Sequence, residues 1–306
     1  NRYPGVACDV ISYDYLPLLD EMNYVPKRRY SRGDEILEHS RAIARKYGLY
    51  DLAVFQTTVT STTWNAEEKM WHLETDRGDL MKARFVVCAN GTLSKPKLAK
   101  IQGIDEFGGH SFHTSRWDYA YTGDDLSNLS DKRVGIIGTG ATAVQAIPEL
   151  GANAKELYVF QRTPSSIDIR DDWETDSKWA SDRPLGWQAA RREKSLRAVE
   201  PSDAQIAEYS RISREEKIRK QENANIDYMM RIHRRIEKEV EDPAVAEALK
   251  PWYMFMCKRP CFHNEYLSTF NRPNVHLVDT RGEGVTLINE KGPVYQGKQY
   301  ELDLLI

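Results

Sequence analysis

The stretch RVGIIGTGATAVQAIPEL, residues 133–150, leaves a chain few folds to choose from. An apolar strand runs into Gly138-Thr139-Gly140-Ala141-Thr142-Ala143, a G-x-G-x-x-A turn that opens an apolar helix. Gly138 permits the tight turn, Gly140 lets backbone N–H groups approach a pyrophosphate, and Ala143 lets the helix pack closely on the strand. The positive end of the helix then favours phosphate. Such a strand–turn–helix unit belongs to a parallel sheet with crossover helices, so an α/β fold is expected.

The strand that follows, ELYVFQRTP, decides which nucleotide suits the turn. An acid at its end would accept a hydrogen bond from a ribose 2′-hydroxyl and mark NAD. Here the strand ends in Gln161-Arg162-Thr163, with Arg162 lying 24 residues after Gly138. A guanidinium fork with a hydroxyl beside it suits a 2′-phosphate instead, so these residues point to NADPH. A surface ion pair is the competing role for Arg162.

Around this unit, 306 residues allow about two domains. A net charge of −3 carries no basic excess of the kind that binds nucleic acid. No apolar run approaches the roughly 18 residues of a membrane span. Cys8, Cys88, Cys257 and Cys261 are too few for a disulfide framework at this size, which points to a reducing, cytoplasmic setting. The C-x3-C pair Cys257/Cys261 lacks the further partners of a zinc site. Asn1 is not an initiator Met and YELDLLI stops inside a strand-like run, so the chain is expected to be an internal piece of a longer protein or the product of a gene model with missing ends.

Along the chain, GDEILEHSRAIARKYGL predicts a helix stopped at Gly48. AVFQTTVTSTTW, MWHLET and KARFVVCANG alternate and predict an antiparallel meander, and GTLSKPKLAKIQGIDEF predicts a linker. Strands are expected at 133–138 and 156–161, with a helix from about 140. From Asp171 to Pro251 the composition becomes charged and helical. There Ile226, Met229, Met230, Ile232 and Ile236 can supply a buried stripe. Strands return at NVHLVDT and in GVTLINEKGPVYQGKQYELDLLI, with turns at Gly292 and Gly297.

The segment just before the nucleotide turn, FGGHSFHTSRWDYAYTG, fits F-x-G-x-x-x-H-x-x-x-W-[P/D] through Phe107, Gly109, His113, Trp117 and Asp118. Packing of a domain edge is the plain use of such aromatics. Together with the G-x-G-x-x-A turn, however, the segment resembles the fingerprint of the type I Baeyer–Villiger monooxygenases. NRYPGVACD, ANGTLSKP, VFQRTP and KRPCFHNEYLSTFNRPNVHLVDT are similar to that family in the same order.

The resemblance implies a flavoprotein with two Rossmann-like dinucleotide-binding domains, one for FAD and one for NADPH, and a helical insertion in the second. Residues 1–92 would be part of an incomplete FAD domain. Residues 93–165 and 256–306 would be the two parts of the NADP domain, the latter returning toward the FAD domain, with the insertion at 166–255. It implies an enzyme that places one oxygen atom of O2 next to a ketone carbonyl, giving an ester or lactone. Arg259 would stabilise the oxygen-centred anion and tetrahedral intermediate beside the flavin, and Asp9 would orient that Arg. Lys258 would contact the NADP phosphate, Ala7, Cys8, Asp9, Tyr15 and Val59 would meet the flavin, and His113 would couple domain movement to the redox cycle.

The family's first G-x-G-x-x-G and its ATG-like turn are not in the sequence, so this piece by itself is expected to bind FAD weakly. Three other readings stay open: an N-hydroxylating or other flavin-containing monooxygenase, a disulfide oxidoreductase, and an inactive nucleotide-binding module. A disulfide oxidoreductase needs a redox cysteine pair, for which C-x3-C is the wrong spacing.

Overall fold

A computed structural model describes residues 2–91, 95–199 and 201–306 of the chain. Contacts divide it into two units, residues 38–97 and residues 1–37 together with 98–306. The first 37 residues pack with the later part of the chain. Gln145 shows why. It is buried in the helix Ala141–Asn153, accepts hydrogen bonds from the Tyr3 hydroxyl (2.9 Å) and the Ala7 N–H (3.3 Å), and donates to the Ala7 carbonyl (3.0 Å).

In the smaller unit, β1 (Val59–Asn65), β2 (Met70–Thr75) and β3 (Leu80–Ala83) form the expected antiparallel meander. The Asn65 carboxamide accepts from the N–H groups of Glu67 and Glu68, closing the first turn as an Asx turn, and Trp64 faces Trp71 across the strands. The third strand is shorter and earlier than predicted. Phe85 and Val87 lie outside any strand and are exposed, because a strand needs a neighbour's ladder and none is offered to 85–88 among the described residues.

The larger unit is built on a parallel sheet. Its strands are β4 (His110–Ser111), β5 (Arg133–Ile137), β6 (Glu156–Gln161), the later strand Val275–Asp279 and the terminal strand Leu304–Leu305. Across the sheet the order is His110–Ser111, Leu304–Leu305, β5, β6, Val275–Asp279, every neighbour parallel. The helix Ala141–Asn153 is the crossover from β5 to β6. Both faces are covered, as parallel strands require. Val134, Ile136, Leu157 and Val159 join Ile147 and Leu150 of the crossover helix on one face. Phe160 and Leu305 meet Ile288, Tyr300 and Leu302 on the other. The latter residues come from or beside a small antiparallel sheet, Leu287–Asn289, Gly292–Tyr295 and Lys298–Gln299, turned at Gln296-Gly297 where both φ angles are positive.

Between β6 and Val275–Asp279 the chain makes the helical excursion expected from its charge. The longest helix, Arg214–Glu239, is capped by the Ser213 hydroxyl, which accepts from the Glu216 N–H. Its buried stripe is narrower than predicted. Met229, Ile232 and Ile236 are buried at the spacing of one helix face, whereas Ile226 (54% exposed) and Met230 (49%) look to solvent. One residue past Met229 is a turn of about 100°, enough to carry Met230 off the face. Ile236→Ala should therefore cost about 2–5 kcal/mol of stability, while Met230→Ala should stay within about 0.5 kcal/mol. Urea unfolding of the two variants measures the difference, and equal effects would disprove the assigned face.

Candidate nucleotide-binding site

The turn after β5 is built as its sequence demands. Gly138 has φ +105°, a conformation side chains resist, and a Cβ at Gly138 or Gly140 would meet nothing within 4 Å. The cradle above the turn is thus open. Gly140 caps the helix Ala141–Asn153 with no side-chain hydrogen bond, which leaves first-turn N–H groups for a ligand. The buried Thr139 donates from Oγ1 to the Thr163 carbonyl (2.9 Å), and the Ser165 hydroxyl donates back to the Thr139 carbonyl. These two bonds dock the loop after β6 onto the turn, and with it Arg162.

One cleft of about 730 Å³ gathers these parts. Gly138, Thr139, Gly140 and Ala141 line it with Arg162 and Thr163 after β6, and with Lys258 and Arg259 from nearly a hundred residues further on. Thr142 and Ala143 follow in the helix, Ala143 buried in the core. A two-strand parallel pairing, Ile167–Asp168 with Cys261–Phe262, carries Lys258-Arg259 there. Within it the Cys261 N–H donates to the Ser166 carbonyl (2.9 Å), and the Ser166 N–H donates to the Tyr253 hydroxyl (3.0 Å), over whose ring Lys258 lies.

Charge sets this cleft apart. Arg162, Lys258 and Arg259 are exposed and hold no carboxylate among the described residues. Elsewhere Arg133, Arg170, Arg191 and Arg235 each hold one. Three cations without a carboxylate partner thus stand beside an open helix N-terminus, an arrangement that favours anions. The fold and the cleft together define a dinucleotide-binding α/β protein.

The chain belongs to the pyridine nucleotide-disulphide oxidoreductase family, which it matches over residues 17–225. Within that family it is similar over its whole length to Baeyer–Villiger monooxygenases. It is 48% identical to one from Stachybotrys chlorohalonatus and 46% identical to the neopentalenolactone D synthase of Streptomyces avermitilis, covering 53% and 55% of those proteins. Among solved structures it resembles the polycyclic ketone monooxygenase of Thermothelomyces thermophila (39% identity, TM-score 0.87), covering all of this chain and 55% of that one. It also resembles a monooxygenase, OTEMO, solved with FAD and NADP (28% identity, TM-score 0.81), covering all of this chain and 62% of that one. The chain thus spans about half the length of the curated relatives it matches.

The remaining expected residues sit as follows. Asp9 does not reach Arg259 through any hydrogen bond. Its carboxylate accepts from Arg170 Nη2 (2.6 Å) and from Gln145 Nε2 (3.3 Å), because the loop after Ile167–Asp168 brings Arg170 to it. Ala7 bridges Arg32 in antiparallel fashion, and Cys8 is buried with its thiol 3.5 Å from the Ser12 hydroxyl and its pKa raised, mainly by burial. Tyr15 is exposed, as is Val59, the first residue of β1 in the smaller unit.

The fingerprint segment forms an edge strand and two caps. Gly109 is needed for packing, since a Cβ there would lie 2.5 Å from the Phe107 ring. His113 Nδ1 accepts from the Ser115 N–H (3.1 Å) and caps a short 3₁₀ turn. Trp117 is buried, donates from Nε1 to Thr122 Oγ1 (3.1 Å) and packs edge-on to Phe112. Asp118 accepts from the Tyr121 N–H and lies 3.0 Å from His110 Nε2.

Sequence reading missed Glu283 and Lys100 in the cleft wall, and the environments of Cys261 and His263. The end of β6 carries no acid, but Glu283 lines the cleft from the turn after Val275–Asp279, more than a hundred residues from Arg162. Lys100 adds a further cation. Cys261, in the C-x3-C pair, is a buried thiol whose pKa is pushed up to about 11 by burial, an environment that suppresses the reactive thiolate.

His263 lies two residues after Cys261. Its Nδ1 accepts from the N–H groups of Glu265 and Tyr266, and burial, then Arg170, Arg32 and Arg235, lower its pKa to about 4. The unfolded chain, with an ordinary imidazole near 6.5, takes up this proton first, so stability is full above about pH 6.5 and falls as pH drops toward 4. The slope is at most about 1.4 kcal/mol per pH unit. Urea unfolding at pH 7.5 and pH 5 should show His263→Gln losing less stability than wild type, and parallel losses would exclude the buried neutral imidazole.

Proposed function

We propose that the full-length protein is an FAD- and NADPH-dependent Baeyer–Villiger monooxygenase, which inserts one oxygen atom of O2 beside a ketone carbonyl to give an ester or lactone. The observation that carries the reading is the meeting, in one cleft, of the open G-x-G-x-x-A turn with three unneutralised cations, Arg162, Lys258 and Arg259. Similarity to enzymes named as Baeyer–Villiger monooxygenases and the Phe107, Gly109, His113, Trp117, Asp118 segment support the chemistry. So does the likeness to a structure solved with FAD and NADP.

In this reading Gly138 to Ala143 hold the pyrophosphate of NADPH on backbone N–H groups. Arg162, Thr163 and Lys258 bind the 2′-phosphate, Arg162 through its fork and Lys258 as a point charge. When bound, NADPH supplies hydride to FAD, and reduced FAD activates O2. Arg259 neutralises negative charge developing on oxygen at the reacting carbon, and its guanidinium stays protonated throughout. Asp9, fixed to Arg170, serves as part of the wall beside the flavin together with Ala7, Cys8 and Tyr15. Residues 1–92 would contribute to the FAD domain, 93–165 and 256–306 to the NADP domain, and 166–255 to the insertion between them.

No helix among the described residues is long and apolar enough to cross a membrane. With four free cysteines, a cytoplasmic site of action and a small-molecule ketone as partner fit best. The test is product analysis of the full-length protein with NADPH, O2 and a ketone panel. Formation of hydroxylamines from amines instead would favour an N-hydroxylating enzyme.

A further inference from the structure

The cleft has a second wall, the Thr280–Gly284 turn, which the G-x-G-x-x-A motif does not foretell. Thr280 is fully buried; its N–H (2.8 Å) and Oγ1 (2.7 Å) both donate to the carbonyl of Gln161, the residue before Arg162. The Gly284 N–H donates to Thr280 Oγ1 (2.9 Å) and the Glu283 N–H to the Thr280 carbonyl (2.9 Å), so the turn is pinned to the end of β6. Gly284 has φ +83°, and a Cβ there would lie 3.4 Å from Arg162 Cδ. The glycine is thus the surface along which the Arg162 stem lies. Two acids stand near this point. The Asp279 carboxylate is occupied, accepting from Gln161 Nε2 (3.3 Å) and from the Arg281 N–H (3.2 Å). Glu283 is exposed on the cleft wall, and its carboxylate is in none of the hydrogen bonds or ion pairs of the described residues.

We infer that the Thr280–Gly284 turn sets the discrimination between NADP and NAD: Gly284 positions Arg162, and Glu283 opposes the dianionic 2′-phosphate, holding NADP affinity below what the cleft's cations alone would give. This rests on the nucleotide reading proposed above. A carboxylate across a solvent-filled cleft from a dianion repels it through Coulomb interaction, and the repulsion is screened by salt, whereas a packing role is not. NAD, with a neutral ribose hydroxyl, feels little of it. The design resembles no acid-at-strand-end signature, because Glu283 comes from the neighbouring strand's loop rather than from β6.

Isothermal titration of NADP⁺ and NAD⁺ into the protein, at low ionic strength and again at about 1 M salt where the Debye length is about 3 Å, tests it. Glu283→Gln should tighten NADP⁺ about three- to tenfold at low salt, leave NAD⁺ within about twofold, and lose the gain at high salt. Gly284→Ala, strained at φ +83°, should weaken NADP⁺ and spare NAD⁺ by shifting the turn against which the Arg162 stem lies. Should Gly284→Ala fail to fold, Glu283→Gln carries the test alone. Unchanged NADP⁺ affinity in Glu283→Gln, a gain that survives high salt, or a loss of NAD⁺ binding that marks Glu283 as a ribose acceptor would each overturn the inference. A wild-type protein that binds NADP⁺ no more tightly than NAD⁺ would instead overturn the nucleotide reading beneath it.

Discussion

Arg259→Ala in the full-length protein is expected to abolish most ester formation while leaving reduction by NADPH largely intact. Hydride transfer to a flavin develops no oxygen anion, so it does not need the guanidinium. Oxygen insertion does, because negative charge builds on oxygen as the new bond forms. Removing one preorganised donor to such a charge costs about 2.7–4 kcal/mol, or roughly 10² to 10³ in rate, and removing a whole charge could cost more. Arg259 sits on the nucleotide cleft without a carboxylate partner among the described residues, so its charge is not spent on an internal ion pair. Lys at this position keeps the charge and loses the planar fork, and should rescue in part. Stopped-flow reduction run alongside product analysis separates the two steps. Near-wild-type ester formation by Arg259→Ala would end the oxygen role, and Lys258-Arg259 would then be a phosphate-binding pair only.

The second large effect is expected at Arg162. Arg162→Ala should weaken NADPH by about 1.5–3 kcal/mol, roughly 10- to 150-fold, the range for a charged hydrogen-bonded contact. NADH should be almost unaffected, since it lacks the phosphate the guanidinium would grip. The structure adds a reason to expect a clean result. Arg162 is exposed, holds no carboxylate among the described residues, and its stem lies against Gly284 without burying core. Titration with both nucleotides decides it, and equal losses would remove the 2′-phosphate from the site.

Much of the nucleotide-binding half was legible because its signals are local. The strands at 133–137 and 156–161, the helix starting at Ala141 and the glycine turn between them follow from an apolar run meeting G-x-G-x-x-A within a few residues. Hydrophobic period and the allowed φ angles of glycine act over such distances. The face of the long insertion helix was legible to within one turn, and it erred at Ile226 and Met230, where sequence spacing permits burial but only a packing partner can enforce it.

What the sequence determined by itself was the chemistry available: a G-x-G-x-x-A turn at Gly138–Ala143, cations at Arg162, Lys258 and Arg259, and the aromatic segment from Phe107 to Asp118. The tertiary structure alone decided which of these meet. It brought Lys258-Arg259 to the cradle through a two-strand pairing, gave Asp9 to Arg170, and put Glu283 in the lining of the same cleft as Arg162. It also grouped residues 1–37 with 98–306 rather than with the meander at 59–83. The physical reason is range. Backbone preference and hydrophobic period are written in neighbouring residues, whereas a charge finds its partner by proximity in space, and here those partners are separated by a hundred residues or more of chain.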